Sequence, residues 1–197
     1  MPTILDLLSK QLGGTAISQM SSQLNTNPNQ TEAAVSALLP TLLGAMARNT
    51  SRKGGAQALL GALDRDHDGS VLDDVAGFLQ KPDEGTGNGI LRHVLGDKRG
   101  TVEQGVSKAS GLDPAAVAKL MTTLAPLVMG ALGKVKREQN LNAKSLSNLL
   151  ETERTQVQRD PALSGLAQLL DTNQDGQVGD DLAKLGKRFL RGLFARK

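Results

Sequence analysis

Cysteine, tyrosine and tryptophan are missing from this 197-residue chain, and each absence closes off a chemistry. Without Cys there is no disulfide, no thiol nucleophile and no thiolate metal site. Only His67 and His93 offer imidazole, which argues against a zinc centre. With Phe78, Phe189 and Phe194 as the only aromatic residues, the core must be built from Leu, Val, Ala and Met. No uninterrupted apolar run approaches the ~18 residues that read as a membrane-spanning helix. Met1-Pro2-Thr3-Ile4 has neither the basic start nor the apolar stretch of a secretion signal, so a cytoplasmic location is expected.

Catalytic signatures are equally scarce. There is no G-x-S-x-G elbow. Gly133-Lys134 is followed by Val135 rather than Ser or Thr, so it does not end a phosphate loop. Gly85-Thr86-Gly87-Asn88-Gly89 fails the dinucleotide fingerprint because Ile90 takes its last glycine position. His93, set in Leu91-Arg92-His93-Val94-Leu95, reads as a partly exposed helix residue rather than a base. The expectation is a protein that is not an enzyme, with no catalytic residue and no organic cofactor.

What the chain does have is two copies of one unusual stretch. Residues 64–74 read DRDHDGSVLDD and residues 171–181 read DTNQDGQVGDD, both following D-x-[DN]-x-D-G-x-V-x-D-D. Oxygen side chains at positions 1, 3 and 5 with Gly at 6 make the first half of an EF-hand calcium loop. Calcium is a hard cation that takes six to eight oxygen ligands, and the Gly permits the sharp turn. The candidate ligands are Asp64, Asp66, Asp68 and Asp171, Asn173, Asp175, with the backbone carbonyls of Ser70 and Gln177 at position 7. An EF-hand closes on a bidentate Glu at position 12, where this chain has Val75 and Leu182. Asp73 and Asp180 at position 10 are the expected closing ligands, with Asp74 and Asp181 as second choice, and calcium affinity is expected to be weak. One such stretch would serve equally well as a turn that caps the next helix. Its repetition favours a metal-capable loop.

The net charge of +3 conceals an asymmetry. The two loops hold nine of the twenty acids and one of the 23 basic residues, so they carry −8 and the rest of the chain carries +11. Acidic cation sites are thereby set against a basic remainder.

The patterning is helical throughout, with no useful strand-period segment. Helices are expected over about 4–12, 15–24, 32–49 with Thr31 as its cap, 55–63, 71–80 and 143–157. The glycine-rich stretch 81–89 is the best linker. Pro40 interrupts a segment, Leu38 to Met46, that is apolar almost all round and therefore buried. After residue 89 the pattern returns. Ile90-Leu91 repeats Ile4-Leu5, Gly100-Thr101 repeats Gly14-Thr15, Asp113-Pro114 repeats Asn27-Pro28, and Pro126 with Gly130 repeats Pro40 with Gly44, all 86 residues on. The second loop lies 107 residues after the first, so 21 residues were gained, between about 134 and 161. The expected fold is all-α: two tandem helical repeats, 1–81 and 82–197, each ending in an EF-hand-like Asp-rich loop followed by a helix, able to pack as one domain. The helices around Pro40 and Pro126 should lie at the centre as counterparts.

The last segment, about 182–195, is basic and amphipathic. Leu182, Leu185, Phe189, Leu193 and Phe194 recur at helical spacing, and Lys184, Lys187, Arg188, Arg191, Arg196 and Lys197 meet no acid after Asp181. Such a segment suits docking on the core, an anionic lipid surface, or nucleic acid or an acidic protein.

The second unit is also familiar as a pattern. Gly89-Ile90-Leu91-Arg92-His93-Val94-Leu95-Gly96, Ser110-Gly111-Leu112-Asp113-Pro114 and Leu124-Ala125-Pro126-Leu127-Val128-Met129-Gly130-Ala131-Leu132 resemble the bacterial domain of unknown function 937 family. Preceding loops like Asp64–Asp74 fit it too. The resemblance implies a helical bacterial protein and brings no activity or catalytic residue with it. Function is therefore read from the loops: a non-enzymatic scaffold or sensor that binds calcium. The alternative is an anionic-surface module acting through the basic C-terminal segment.

Overall fold

The computed structural model describes residues 3–159, and among these every regular element is helical. Nine α-helices follow in order: α1 (Ile4–Gln11), α2 (Gly14–Leu24), α3 (Pro28–Thr50), α4 (Gly55–Arg65), α5 (Val75–Gln80), α6 (Glu84–Val94), α7 (Arg99–Ser110), α8 (Pro114–Glu138) and α9 (Ala143–Arg159).

Local chemistry sets the starts. Thr3 and Asp6 form a reciprocal capping box on α1. α3 begins four residues before the position expected from Thr31. The Asn27 side chain accepts from the Asn29 N–H at 2.9 Å, and Pro28 supplies the fixed φ of a first helical residue. Thr31 is instead buried, its hydroxyl 3.1 Å from the Asn27 carbonyl that accepts from it. Asp113 and Pro114 open α8 in the same way.

The expected linker is another correction. Asp83 caps a helix that begins at Glu84, so residues 84–89 form the first half of α6. Of the glycines in that stretch Gly87 serves close packing, whereas a Cβ on Gly89 would meet nothing within 4 Å. Pro126 has no N–H to give the Thr122 carbonyl, and Gly87 lies directly against that carbonyl, where any Cβ would collide with it. The helix expected over 71–80 is also shorter. A 3₁₀ turn spans Ser70–Leu72, and Asp74 then caps α5, accepting from the Gly77 N–H at 2.8 Å.

α3 and α8 run through the centre, each continuing past its internal proline. Leu42, Leu43, Leu127 and Val128 are each at most 1% exposed, as expected for central counterparts. α6 and α7 pack on α8, and α7 and α9 pack on α3. α1 packs chiefly on α8. α8 is the one described helix long and apolar enough to cross a membrane by length and composition, and 78% of its apolar window is buried inside the protein.

α9, the helix expected in the inserted residues, buries Leu146, Leu150 and Val157. It also carries Glu153, which is only 3% exposed. Glu153 Oε1 accepts from the Ile4 N–H at 3.0 Å, joining α9 to the first turn of α1. Among the described residues its Oε2 has no hydrogen-bond partner. Burial raises the pKa of this carboxyl.

Candidate metal centre in the Asp-rich loop

The loop between α4 and α5 is shaped by one glycine and seated by two others. Gly69, at position 6 of the pattern, has φ +96°, a left-handed conformation that side-chain-bearing residues rarely adopt. A Cβ there would also stand 2.9 Å from the Lys134 Cβ. On α8, Gly130 and Gly133 are one turn apart on the face beneath the loop. A Cβ on Gly130 would strike the Val71 side chain, and one on Gly133 would strike the His67 carbonyl. The loop backbone thus lies directly on a helix backbone, with Leu72 buried behind it.

This seat brings the last turn of α8 up to the loop's acids. Lys136 Nζ pairs with Asp64 Oδ1. Arg137 Nη1 lies 3.5 Å from Asp68 Oδ2. Asp68 Oδ1 accepts from the Ser70 N–H at 3.0 Å, and the Ser70 contacts, aided by Arg137, lower the Asp68 pKa. Asp64 and Asp68 remain half exposed, at 52% and 53% of their side-chain area, whereas Lys136 is only 17% exposed. Asp66 pairs with its neighbour Arg65 at 3.8 Å. Asp73 is exposed, and Asp74 is committed to the α5 cap. His67 is half buried, and that burial lowers its pKa against the opposing pull of Asp66.

Of the residues expected in the first site, the structure thus places Asp64 and Asp68 against cations, Ser70 in the turn, and Asp73 at the open rim. Among the described residues no three of His, Asp or Glu stand close enough together to hold a metal ion as they are. Lys136, Arg137, Gly130 and Gly133 were not singled out from the sequence for this role. Their signal was Gly130-x-x-Gly133-Lys134-x-Lys136-Arg137: small residues one turn apart, then cations at a helix end.

The second loop, with Asp171, Asn173, Asp175, Gln177, Asp180 and Asp181, lies outside the described residues. So do the basic residues Lys184, Lys187, Arg188, Arg191, Arg196 and Lys197. His93 is exposed on α6, where its Nδ1 is 2.9 Å from the Gly89 carbonyl.

No curated protein matches this chain, and no solved structure does. A family model described as a bacterial protein of unknown function, DUF937, matches residues 6–135, more than half of the chain. The all-helical fold and the match agree with the resemblance carried by the Gly89–Gly96 and Leu124–Leu132 motifs, and the chain belongs to the DUF937 family of bacterial proteins.

Proposed function

We propose that this protein is a non-enzymatic helical scaffold whose two Asp-rich loops exchange internal Lys and Arg counter-ions for calcium. The observation that carries this reading is the pairing of Asp64 and Asp68, positions 1 and 5 of the calcium pattern, with Lys136 and Arg137. Both carboxylates are half exposed, and surface ion pairs are worth about 0–1 kcal/mol, so a divalent cation faces weak competition for the same oxygens. Gly69 has the left-handed turn that such a loop needs. Asp74 is occupied as a cap, which leaves Asp73 as the closing ligand of choice. Binding requires the acids to turn inward from their present partners, and that rearrangement keeps affinity low, at about 10⁻⁵–10⁻³ M on the range of calcium loops.

The reading includes the duplication. α2 and α7 begin at Gly14 and Arg99, and the long helices begin at Pro28 and Pro114 after Asn27 and Asp113 caps. These helix starts, 85 to 86 residues apart, support two copies of one unit. The second loop would then be a second site built on the same plan.

Calcium titration of the melting temperature tests the proposal. A ligand that binds only the folded state contributes about 2.7 kcal/mol at a hundredfold excess over its Kd. Millimolar calcium should therefore raise the melting temperature, and magnesium should raise it less because it demands a tighter octahedral shell. Asp64→Ala with Asp171→Ala should remove the calcium effect. Equal shifts in the wild type and the double variant, or no shift in the wild type at about 10 mM, ten times the weak end of that range, would overturn the proposal.

A further inference from the structure

An open groove of about 410 Å³ lies between α1, α2 and the N-terminal half of α3. Its floor is apolar and buried: Leu12, Ile17, Val35 and Leu39, with half-buried Leu5 at one edge. Its rim is exposed and polar, made by Ser9, Ser18, Ser36 and Glu32. Among the described residues Glu32 is the one charged side chain on the lining, and it is an acid. Pro40 has no N–H to give the Ser36 carbonyl, so that acceptor stands at the groove without its helical partner. In the second half of the chain the counterpart carbonyl, Thr122, is covered by Gly87 of α6.

We infer that this groove is the seat of the chain's own basic amphipathic segment, residues 182–195. The place where the described chain ends supports this occupant. Glu153 of α9 is bonded to Ile4, next to Leu5 at the groove edge. Arg159 is six residues further on, roughly 9 Å along the helix axis. The 22 residues from 160 to 181 then give ample reach. Shape and charge support it as well. Leu182, Leu185, Phe189 and Leu193 have the spacing of helix anchors that fill an apolar groove. The cations between them have Glu32 and the Ser36 carbonyl to meet. Seated in this way, the segment's apolar face is withheld from any anionic surface, so the groove acts as a brake on binding outside the chain. The inference stands apart from the calcium reading, because neither the groove nor the spacing depends on a metal.

Cross-linking of the full chain tests it, since the protein has no native cysteine. Ser36→Cys with Gly186→Cys places one thiol on the groove rim and one beside the anchor face. Asn148→Cys with Gly186→Cys is the control, because neighbouring Ser147 touches Thr50 at the opposite end of α3. In chelator and under mild oxidation, the first pair should form an intramolecular disulfide at least tenfold faster than the control. Glu32→Lys, an exposed change that leaves the core intact, should slow it several-fold. Equal rates for the two pairs would overturn the inference and leave the groove to a separate partner. Disulfides formed only between chains would overturn it in favour of a second copy. Repeating the measurement with calcium separates this result from the cation reading, because failure of the loops to bind calcium leaves the chelator rates unchanged.

Discussion

Glu153 holds a carboxylate in the interior with one oxygen bonded and the other unpartnered among the described residues. Its pKa is raised by burial, so the folded state holds that proton more tightly than the unfolded chain does. The stability linked to it is fully present below the ordinary value of 4.5 and is lost as pH rises through the folded value. Glu153→Gln keeps an acceptor for the Ile4 N–H and removes the buried charge. Thermal melts from pH 4 to 8 should show the variant losing less stability than wild type as pH rises, with the advantage greatest at the upper end. A parallel pH dependence in the two proteins would mean that Glu153 does not carry this linkage. Lys136 makes the opposite kind of residue-scale case. On the proposed calcium reading it competes for Asp64, so Lys136→Met should tighten calcium binding by up to about fivefold, the value of one weak surface pair. Calorimetric titration would read this directly. Glu153 was not legible in advance, because an acid at one position of a charged helix reads as solvated surface. The loop acids were legible as a pattern, but their partners on α8, more than sixty residues away in sequence, were not.

The elements follow local rules where those rules act alone. α9 was expected over 143–157 and occupies Ala143–Arg159, because its apolar spacing is clean. The misplaced boundaries share one cause: a stronger local signal lay a few residues away. Asn27-Pro28 outcompetes Thr31 as a helix start, and Asp83 turns a glycine-rich stretch into a helix. Glycine composition could not reveal that Gly87 and Gly133 are contact points, because that meaning belongs to the opposing backbone. A test follows at this scale. Gly133→Ala drives a methyl into the His67 carbonyl and lifts the loop from its seat. Such overpacking typically costs about 1–3 kcal/mol. A denaturant melt should register that loss, while Gly61→Ala on α4, where a Cβ meets nothing within 4 Å, should be neutral or slightly stabilising. A loss as large in Gly61→Ala would show that the contact with the His67 carbonyl is not what sets the cost, since helix propensity alone favours Ala at both sites.

At the scale of the molecule, the first and second halves of the described chain interlock rather than lie side by side. α1 belongs to the first by sequence but rests on α8, and α9 belongs to the second but rests on α3. Separate polypeptides of residues 1–81 and 82–197 should each show weak, non-cooperative helical melting, and mixing them should restore a single transition. Two independent cooperative transitions would mean that the exchange of helices is incidental. The 86-residue period read in the sequence carries no information about which long helix each short one chooses, so this interlocking was not legible there.

That exchange bears on how the protein is made. Ile4 and Leu8 bury their side chains in α1, which rests on α8, and the Ile4 N–H is bonded to Glu153. A ribosome adding about 5–20 residues per second reaches Glu138 roughly 6–25 seconds after it has finished α1. Throughout that interval the first helix has no lasting place to go. Its apolar side must wait, either loosely shielded by early contacts or held by a chaperone, until the far half of its own chain emerges to receive it.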